Sequence, residues 1–391
     1  MNEESLISRC DWSFPVPIAY GPGRLQEMGE HAAKLGLTKP LIVTDQGSAG
    51  LPFINVLRQA LLSAGIDSEV FAEVAPNPRD ADIALARKSY LEGGHDSVIA
   101  IGGGSGMDAG KATALTAHNE CDVWQFDYDC DVPSLPADHV FPKLICIPTT
   151  AGTGAETEST AMVTHSERGM KLCIWHPDLS PSLTLLDPEI TLGLPATLTA
   201  WTGIDAMVHA IEAYCVPDYH PMCDGVALEA LALIGRWLPS AVEEPGNLTA
   251  RGGMQVGACL AGVSFLKGLG LVHAISHMVG ADFDTHHGLT NAIVLPAVLK
   301  FNAPAIHDKL PAMCRALGLP GGDFESFYSA ICQLLDRLSV PVNLAEIGVP
   351  AEAARTLAEK AHQDAAAGTN PRAADVATIE RLILEAITVG R

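Results

Sequence analysis

The residues SVIAIGGGSGMD (residues 97–108) join a short apolar run to a glycine turn and then to the start of a helix. Glycines in such a turn let the backbone approach a phosphate, and the following helix directs its N–H groups and partial positive charge at the anion. The stretch matches neither the G-x-G-x-x-G dinucleotide pattern nor the Walker pattern. From these residues alone, both a phosphate-binding turn and an ordinary tight turn remain open.

Strands and helices alternate on both sides of this stretch. Short apolar runs predict buried strands at 40–45 and 143–147, and helical spacing predicts helices at 25–35, 56–64 and 80–92. Strands that alternate with helices in this way are typical of a parallel sheet covered by helices. The N-terminal part of the chain is therefore predicted to be an α/β domain.

Polar residues follow the predicted strands at the ends where such sheets bind ligands. Asp45 ends one strand, and Thr149, Thr150 and Thr153 follow another. A carboxylate at position 45 would accept hydrogen bonds from an adenosine ribose and repel a 2′-phosphate; the alternative is an Asp that only caps a turn. The threonines would hold a phosphate or the nicotinamide amide, or they would only form a Ser/Thr-type turn.

The pattern changes at Pro195, after which helical periods dominate and strand signals nearly vanish. A chain of 391 residues also exceeds a single typical core. We therefore predict two domains, residues 1–190 and residues 191–391, of which the second is all-helical. Its predicted helices are 195–215, 222–238, 249–265, 270–281, 290–302, 305–316, 323–337, 351–366 and 374–387.

The helical part contains a concentration of potential metal ligands. Asp205 and His209 are four residues apart, as are His273 and His277, and two adjacent histidines occupy 286–287. On helices, each i,i+4 pair shares one face. A lone buried histidine is usually a hydrogen-bonded core residue, but this grouping favours a mononuclear divalent-metal site of carboxylate and imidazole, which suits zinc or iron. Such a centre polarises a bound oxygen and lowers its pKa.

The composition limits the class of partner and the compartment. Against 24 basic residues the chain has 46 acidic ones, and the net charge of -22 argues against nucleic acid or an anionic membrane as partner. The ten cysteines are irregularly spaced, which predicts reduced thiols. The acidic N-terminus has no apolar signal core, and the apolar residues 256–281 include Lys267 and two histidines. We therefore expect a cytoplasmic enzyme with no membrane span.

Several segments, taken together and in this order, resemble the iron-containing (group III) alcohol dehydrogenase family over nearly the whole chain. They are VTD at 43–45, PNP at 76–78, GGGS at 102–105 with Asp108 and Lys111, IPTTAGTG at 147–154, DP at 187–188, GIDAMVHAIE at 203–212, GLVHAISH at 270–277 and HGLTNA at 287–292. The resemblance implies an α/β Rossmann-like dinucleotide-binding N-terminal domain and an all-α metal-binding catalytic C-terminal domain, the dehydroquinate synthase-like fold.

The resemblance also implies roles for individual residues. The implied metal ligands are Asp205, His209, His273 and His287. The implied cofactor contacts are Asp45, Gly102, Gly103, Gly104, Ser105, Thr149, Thr150, Thr153 and Lys171. His277 is implied to be catalytic, as a proton relay beside nicotinamide and substrate, while His286 has no assigned role. The implied cofactors are NAD, favoured over NADP by Asp45, and Fe(II), with zinc as the alternative. Arg79 and Gly106 depart from the family pattern.

The implied activity is reversible hydride transfer between an alcohol and NAD, giving an aldehyde or ketone and NADH. The small-molecule substrate is either a primary alcohol or an ω-hydroxy acid such as 4-hydroxybutyrate. Lys267 would bind the carboxylate of the acid if it faced the substrate; otherwise it is a lysine that extends its charge to solvent from a helix end. The alternative activity is that of a metal-dependent lyase or hydrolase on the same scaffold. The resemblance alone predicts a homodimer or larger homo-oligomer.

Overall fold

The computed structural model describes residues 10–12, by their backbone alone, and residues 15–391. The chain forms two compact units. The first runs to Thr150 and resumes with Ala155–Gly193, and the second consists of Ala151–Gly154 and Leu194–Arg391. Alternating apolar residues at 11–20 predict an early strand or hairpin arm, and residues 13 and 14 of this stretch lie outside the described residues.

The first unit contains a seven-stranded sheet of order β1-β2-β9-β6-β5-β3-β4, in which only the β1–β2 pair is antiparallel. Its strands are β1 (Cys10–Trp12), β2 (Ile18–Tyr20), β3 (Pro40–Asp45), β4 (Glu69–Val74), β5 (Ser97–Gly102), β6 (Lys143–Pro148) and β9 (Leu183–Leu186). Strands β7 (Thr160–His165) and β8 (Met170–Trp175) form a separate antiparallel hairpin. The helices are α1 (Met28–Leu35), α2 (Pro52–Ser63), α3 (Asp80–Gly93) and α4 (Gly104–Thr116).

Side chains of the central strands alternate between two cores, as the period of a strand requires. In β3, Leu41 and Val43 enter one core, whereas Ile42 enters the other. Helices α3 and α4 cover the first core, and α1 and α2 cover the second. Both faces of the sheet are therefore buried, which explains why its strands read as continuous apolar runs.

The carboxyl ends of three adjacent strands bring the predicted cofactor residues to one edge of the sheet. Asp45 ends β3, Gly102 ends β5 and pairs in register with Pro148, which ends β6. The sequence pattern predicts that helix α4 begins near Met107, after the glycine turn, but it begins three residues earlier, at Gly104. The last glycine of the turn is therefore the first residue of the helix, and the N–H groups of the first helical turn lie at this edge.

The second unit is helical. Its helices are α5 (Ala196–Cys215), α6 (Pro221–Glu243), α7 (Leu248–Ser264), α8 (Leu271–Phe283), α9 (His287–Asn302), α10 (Leu310–Ala316), α11 (Phe324–Arg337), α12 (Ala354–Ala361), α13 (Ala365–Gly368) and α14 (Val376–Thr388). The helix predicted at 351–366 is divided, because Asp364 adopts an extended backbone and caps a new helix. This break places Asp364 at a helix N-terminus.

Helix α6 is long and apolar enough to cross a membrane by length and composition alone, and 44% of its most apolar window is buried within the protein. The stretch from α7 to α8 meets the same criteria only as a pair bent by 105°. Core helices of globular proteins pass this test as well, so neither feature assigns a membrane span.

The segment Ala151–Gly154 packs against α7 so closely that two glycines are required. A Cβ atom on Gly262 would lie 2.6 Å from Gly154 Cα, and Gly154 itself has a φ of 64°. We expect Gly262→Ala to lower the free energy of unfolding by about 1–3 kcal/mol, because backbone faces backbone and neither side can rotate away. Urea denaturation measures this change.

The matched control is Gly225→Ala in α6, where an added Cβ meets nothing within 4 Å. This substitution should leave stability unchanged or raise it by up to about 1 kcal/mol through helix propensity. Equal urea midpoints for the two variants would contradict the close approach at Gly262.

Candidate metal centre

Three helices of the second unit bring one carboxylate and three imidazoles together. Asp205 and His209 lie one turn apart on α5, His273 lies in the first turn of α8, and His287 is the first residue of α9. One ligand atom from each lies within 4.8 Å of the others. The Nε2 atoms of His209, His273 and His287 are 3.9, 3.7 and 3.6 Å from Asp205 Oδ1.

These distances fit a single divalent ion. Nitrogen and oxygen ligands at about 2.0–2.2 Å from one metal lie about 3–4 Å from each other. Three of the side chains are almost fully buried, and that of His287 is 23% exposed. Carboxylate with imidazole suits both Fe(II) and Zn²⁺, so the donor set fits the predicted metals without choosing between them.

Asn291 supports this reading of the cluster. Its Nδ2 atom donates to Asp205 Oδ1 at 2.6 Å and lies 3.2 Å from Nε2 of both His273 and His287. The Asn291 Oδ1 atom is buried and, among the described residues, has no hydrogen-bond partner. Three potential ligand atoms thus surround one amide group, in the arrangement in which they would also surround a cation.

The charges of the cluster also suit a metal. Burial raises the pKa of Asp205, but His209, His287 and His273 outweigh burial and hold this pKa well below its usual range. Burial lowers the pKa of His209 more than Asp205 raises it, so this ring is neutral. Burial also opposes a charge on His273, but hydrogen bonds with Asp205 and Glu212 raise its pKa. Metal binding to His273 therefore requires the loss of a proton.

Glu212 fixes the orientation of His273. Its Oε2 atom accepts from His273 Nδ1 at 2.7 Å and from the Gly270 backbone N–H at 3.0 Å, and Oε1 accepts from the Val272 N–H at 2.8 Å. One carboxylate therefore caps α8 and leaves the His273 Nε2 atom facing the cluster. Glu212 ends the 203–212 segment, but no pattern in the sequence indicates this role.

The adjacent histidines 286 and 287 have different positions. His286 is the N-cap of α9, where its Nδ1 accepts from the Leu289 N–H at 3.4 Å, and its ring lies 5.1 Å from that of Trp201. His287 instead enters the cluster, and its Nδ1 pairs with Ser276 Oγ at 2.9 Å. The geometry thus places His287, and not His286, among the potential ligands.

His277 lies one turn after His273 on α8 and outside the group of converging ligand atoms. Its ring stacks on that of His287 at 5.3 Å, and its Nδ1 pairs with Asp364 Oδ2 at 2.8 Å. The structure therefore places His277 beside the cluster but not in it. Asp364, 87 residues away, had no signal in the sequence.

In the first unit, most of the predicted cofactor residues lie together. Asp45 accepts from the N–H and the hydroxyl of Ser48 at 2.9 and 2.8 Å. A Cβ on Gly102 would lie 2.7 Å from Asp45 Oδ2, and Gly102 has a φ of 152°, so only glycine fits here. The Thr149 N–H donates to Gly102 O at 2.9 Å, and Thr150 lies beside Gly103. Gly104 and Ser105 begin α4 at the same edge.

The two remaining predicted cofactor residues are placed differently. Lys171 on β8 donates to Asn77 Oδ1 at 3.4 Å, which sets it against the turn that follows β4. Thr153 belongs to the second unit, with Ala151–Gly154.

The fully buried Lys111 donates to the carbonyls of Glu158 and Thr160 at 2.7 and 2.9 Å, so this lysine joins α4 to β7.

Two features indicate the class of protein. One is a parallel sheet with a glycine turn at its carboxyl edge, and the other is a helical unit with an Asp-His-His-His cluster. Together they are typical of nucleotide-linked metalloenzymes. Comparison of the sequence with known proteins identifies the family. Residues 15–188 match the iron-containing alcohol dehydrogenase family, and residues 199–387 match the Fe-containing alcohol dehydrogenase family, C-terminal.

Individual relatives match more than nine-tenths of the chain. The chain is 33% identical over 383 residues to NAD-dependent methanol dehydrogenase of Bacillus methanolicus, covering 96% of this chain and 99% of that protein. It is 34% identical over 373 residues to 4-hydroxybutyrate dehydrogenase of Cupriavidus necator, covering 92% and 95%. The solved structure of 1,3-propanediol oxidoreductase has a TM-score of 0.89 at 33% identity, covering 94% and 97%. The chain therefore belongs to the iron-containing alcohol dehydrogenase family, which confirms the predicted fold class.

Proposed function

We propose that this protein is a metal-dependent, NAD-linked alcohol dehydrogenase that interconverts a small primary alcohol and its aldehyde. The observation on which this proposal depends is the convergence of one ligand atom from each of four side chains within 4.8 Å, in a member of this family. The proposed ligands are Asp205, His209, His273 and His287.

We propose that residues 1–190 bind NAD and that residues 191–391 form the metal-binding catalytic domain. The proposed cofactor contacts are Asp45, Gly102, Gly103, Gly104, Ser105, Thr149, Thr150, Thr153 and Lys171. The position of Asp45 at the end of β3, beside the glycine turn, supports NAD over NADP, because a carboxylate there accepts ribose hydroxyls and repels a 2′-phosphate.

The protein's own residues hold and orient the reacting groups. A bound divalent metal would act as a Lewis acid toward an alcohol oxygen, and NAD would supply the redox chemistry. Glu212 and Ser276 fix the rings of His273 and His287, each through Nδ1. His277, which lies beside the cluster without joining it, is the proposed proton relay.

The direct test is a panel of alcohols with NAD, using protein reconstituted anaerobically with Fe(II) or Zn²⁺ and following NADH at 340 nm. We expect NADH with at least one short primary alcohol, and a weaker reaction with NADP. No NADH with any alcohol would contradict the proposal and leave the lyase or hydrolase alternative. Elemental analysis of anaerobically purified protein would decide between iron and zinc.

Within that panel we expect neutral primary alcohols to be better substrates than ω-hydroxy acids of equal chain length. Lys267 Nζ lies 2.6 Å from Asp224 Oδ1, and its side chain is only 1% exposed. Lys309 also approaches Asp224, at 3.8 Å. Because the Lys267 side chain is buried and its ammonium group is paired with Asp224, this lysine offers no exposed charge to a substrate carboxylate.

The comparison of 1-butanol with 4-hydroxybutyrate measures this preference as a ratio of kcat/KM. A higher kcat/KM for the acid that disappears in Lys267→Met would overturn the argument. Lys300→Met is the matched control, because Lys300 forms an exposed pair with Glu385 at 3.1 Å. We further propose a homodimer or larger assembly, on family resemblance alone, and a cytoplasmic location, on the composition and the N-terminal residues. Light scattering after size exclusion tests the assembly.

A further inference from the structure

The pair formed by His277 and Asp364 is almost buried, with side chains 10% and 8% exposed. The His277 Nδ1 atom lies 2.8 Å from Asp364 Oδ2. An ionised carboxylate can only accept, so Nδ1 carries the hydrogen of this bond. In the neutral ring the lone pair is therefore on Nε2.

Asp364 is itself held in place. Its Oδ1 atom accepts from the Ala366 N–H at 2.9 Å as the N-cap of α13. The same segment is joined to the start of α8, because Thr369 Oγ1 donates to Leu269 O at 2.8 Å and Asn370 Oδ1 accepts from the Leu271 N–H at 3.2 Å. Each oxygen of Asp364 thus has a different partner, and only Oδ2 faces the histidine.

The environment of the ring argues for function beyond capping. His277 stacks on His287 with ring planes 13° apart and lies 5.9 Å from the ring of His273. Its own ring nitrogens are not in the group of atoms that converge on the metal position. A helix cap needs one carboxylate oxygen, whereas here the second oxygen is directed at a histidine beside the proposed ligands.

We propose that Asp364 is a positioning residue that fixes the orientation and tautomer of His277, so that Nε2 is the atom left to exchange a hydrogen bond with the alcohol or with a water that carries its proton. This inference rests on the proposed dehydrogenase function. It assigns to α13 a part in the active site that was not expected from the sequence.

The substitution Asp364→Asn tests the tautomer directly. The amide oxygen keeps the cap to Ala366, so the amide nitrogen, which can only donate, takes the place of Oδ2. His277 Nδ1 must then accept, and the hydrogen moves to Nε2, the wrong tautomer for the proposed role. The ring ¹⁵N shifts of His277 in the Zn²⁺-loaded protein, assigned by comparison with His277→Ala, report which nitrogen carries the hydrogen. An Nε2–H ring in the parent, or the same tautomer in both proteins, would overturn the proposal.

Kinetics supply the second readout. We expect Asp364→Asn to lower kcat about 100-fold, at the low end of what a positioned acid or base contributes, with little change in KM. In a His277→Ala background, Asp364→Asn should not lower kcat any further, because the two residues act as a unit. An equal loss in that background would show that Asp364 acts only through the fold and would overturn the inference.

Two further variants separate capping from positioning. Asp375→Asn is the matched control, because Asp375 caps α14 through the Thr378 N–H at 2.8 Å, and it should leave kcat unchanged. Asp364→Ser keeps a cap but removes the carboxylate from His277; we expect it to be folded and slow, and a normal kcat would count against the proposal. If the parent protein forms NADH from none of the alcohols tested, the proposed dehydrogenase function is wrong. The ¹⁵N shifts still decide the arrangement of Asp364 and His277 in that case.

Discussion

Asp205→Asn should leave the purified protein with little bound iron or zinc and lower kcat/KM for its alcohol by more than about 100-fold, beyond the loss typical of an outer-shell partner. Asp205 supplies the only carboxylate among the four converging side chains. Its neighbours His209, His287 and His273 hold its pKa low, so it contributes a full negative charge. An amide at this position offers only a neutral oxygen to a divalent cation.

The measurement is metal content after reconstitution with excess Fe(II) or Zn²⁺ and extensive dialysis, together with NADH formation by the same samples. Circular dichroism establishes that the variant is folded, which we expect because Asn preserves the shape of the side chain. Asp323→Asn is the matched control in the same unit, since Asp323 is an exposed N-cap of α11. A variant that retained one equivalent of metal and normal turnover would place the metal elsewhere.

The fold was largely predictable because its local signals agree with its packing. Strands β3, β5 and β6 lie in the centre of a sheet buried on both faces, so their sequences are unbroken apolar runs that pattern alone identifies. Helix ends were less predictable. The start of α4 at Gly104 depends on a turn of three glycines, and the break before α13 depends on an extended backbone at Asp364. Neither residue type alone requires a boundary there.

Helix spacing grouped only part of the candidate metal cluster, and the family resemblance supplied the rest. Asp205 and His209 share a face of α5, and His273 begins the next such pair on α8. The residues that orient them could not be predicted in the same way. Glu212 contacts His273 across 61 positions, and Asp364 contacts His277 across 87. These contacts arise only when the helices pack against each other, and the spacing of residues along the sequence does not predict that packing.

The choice between His286 and His287 shows the same limit. Both are imidazoles at the start of one helix, and the family pattern alone favoured His287. In the structure, His286 is the residue before the first helical turn and caps it. His287 is the first helical residue, and its side chain enters the cluster. The role of Lys267 likewise depends on Asp224, 43 positions away.

The second large effect is expected for Glu212→Gln, which should weaken metal affinity about 10- to 100-fold, as outer-shell partners of a metal-bound histidine typically do. The Glu212 carboxylate accepts from His273 Nδ1 and from the N–H groups of Gly270 and Val272. Glutamine has one acceptor oxygen and one donor amide, so at least one of these N–H groups would face another donor. Each unpaired buried donor costs about 1–3 kcal/mol, so the melting temperature should also fall.

Competition with a chromogenic zinc chelator measures the affinity, and calorimetry of metal-free and metal-loaded protein measures the two stabilities. Because the variant loses orientation of His273 as well as the cap of α8, the metal should stabilise it less than it stabilises the parent. Glu243→Gln is the matched control, since Glu243 forms only an exposed pair with Arg337, with side chains 50% and 53% exposed; such pairs contribute little. If Glu212→Gln lowers the melting temperature of the metal-free protein but leaves zinc affinity unchanged, Glu212 is a helix cap alone, and the orientation of His273 has another origin.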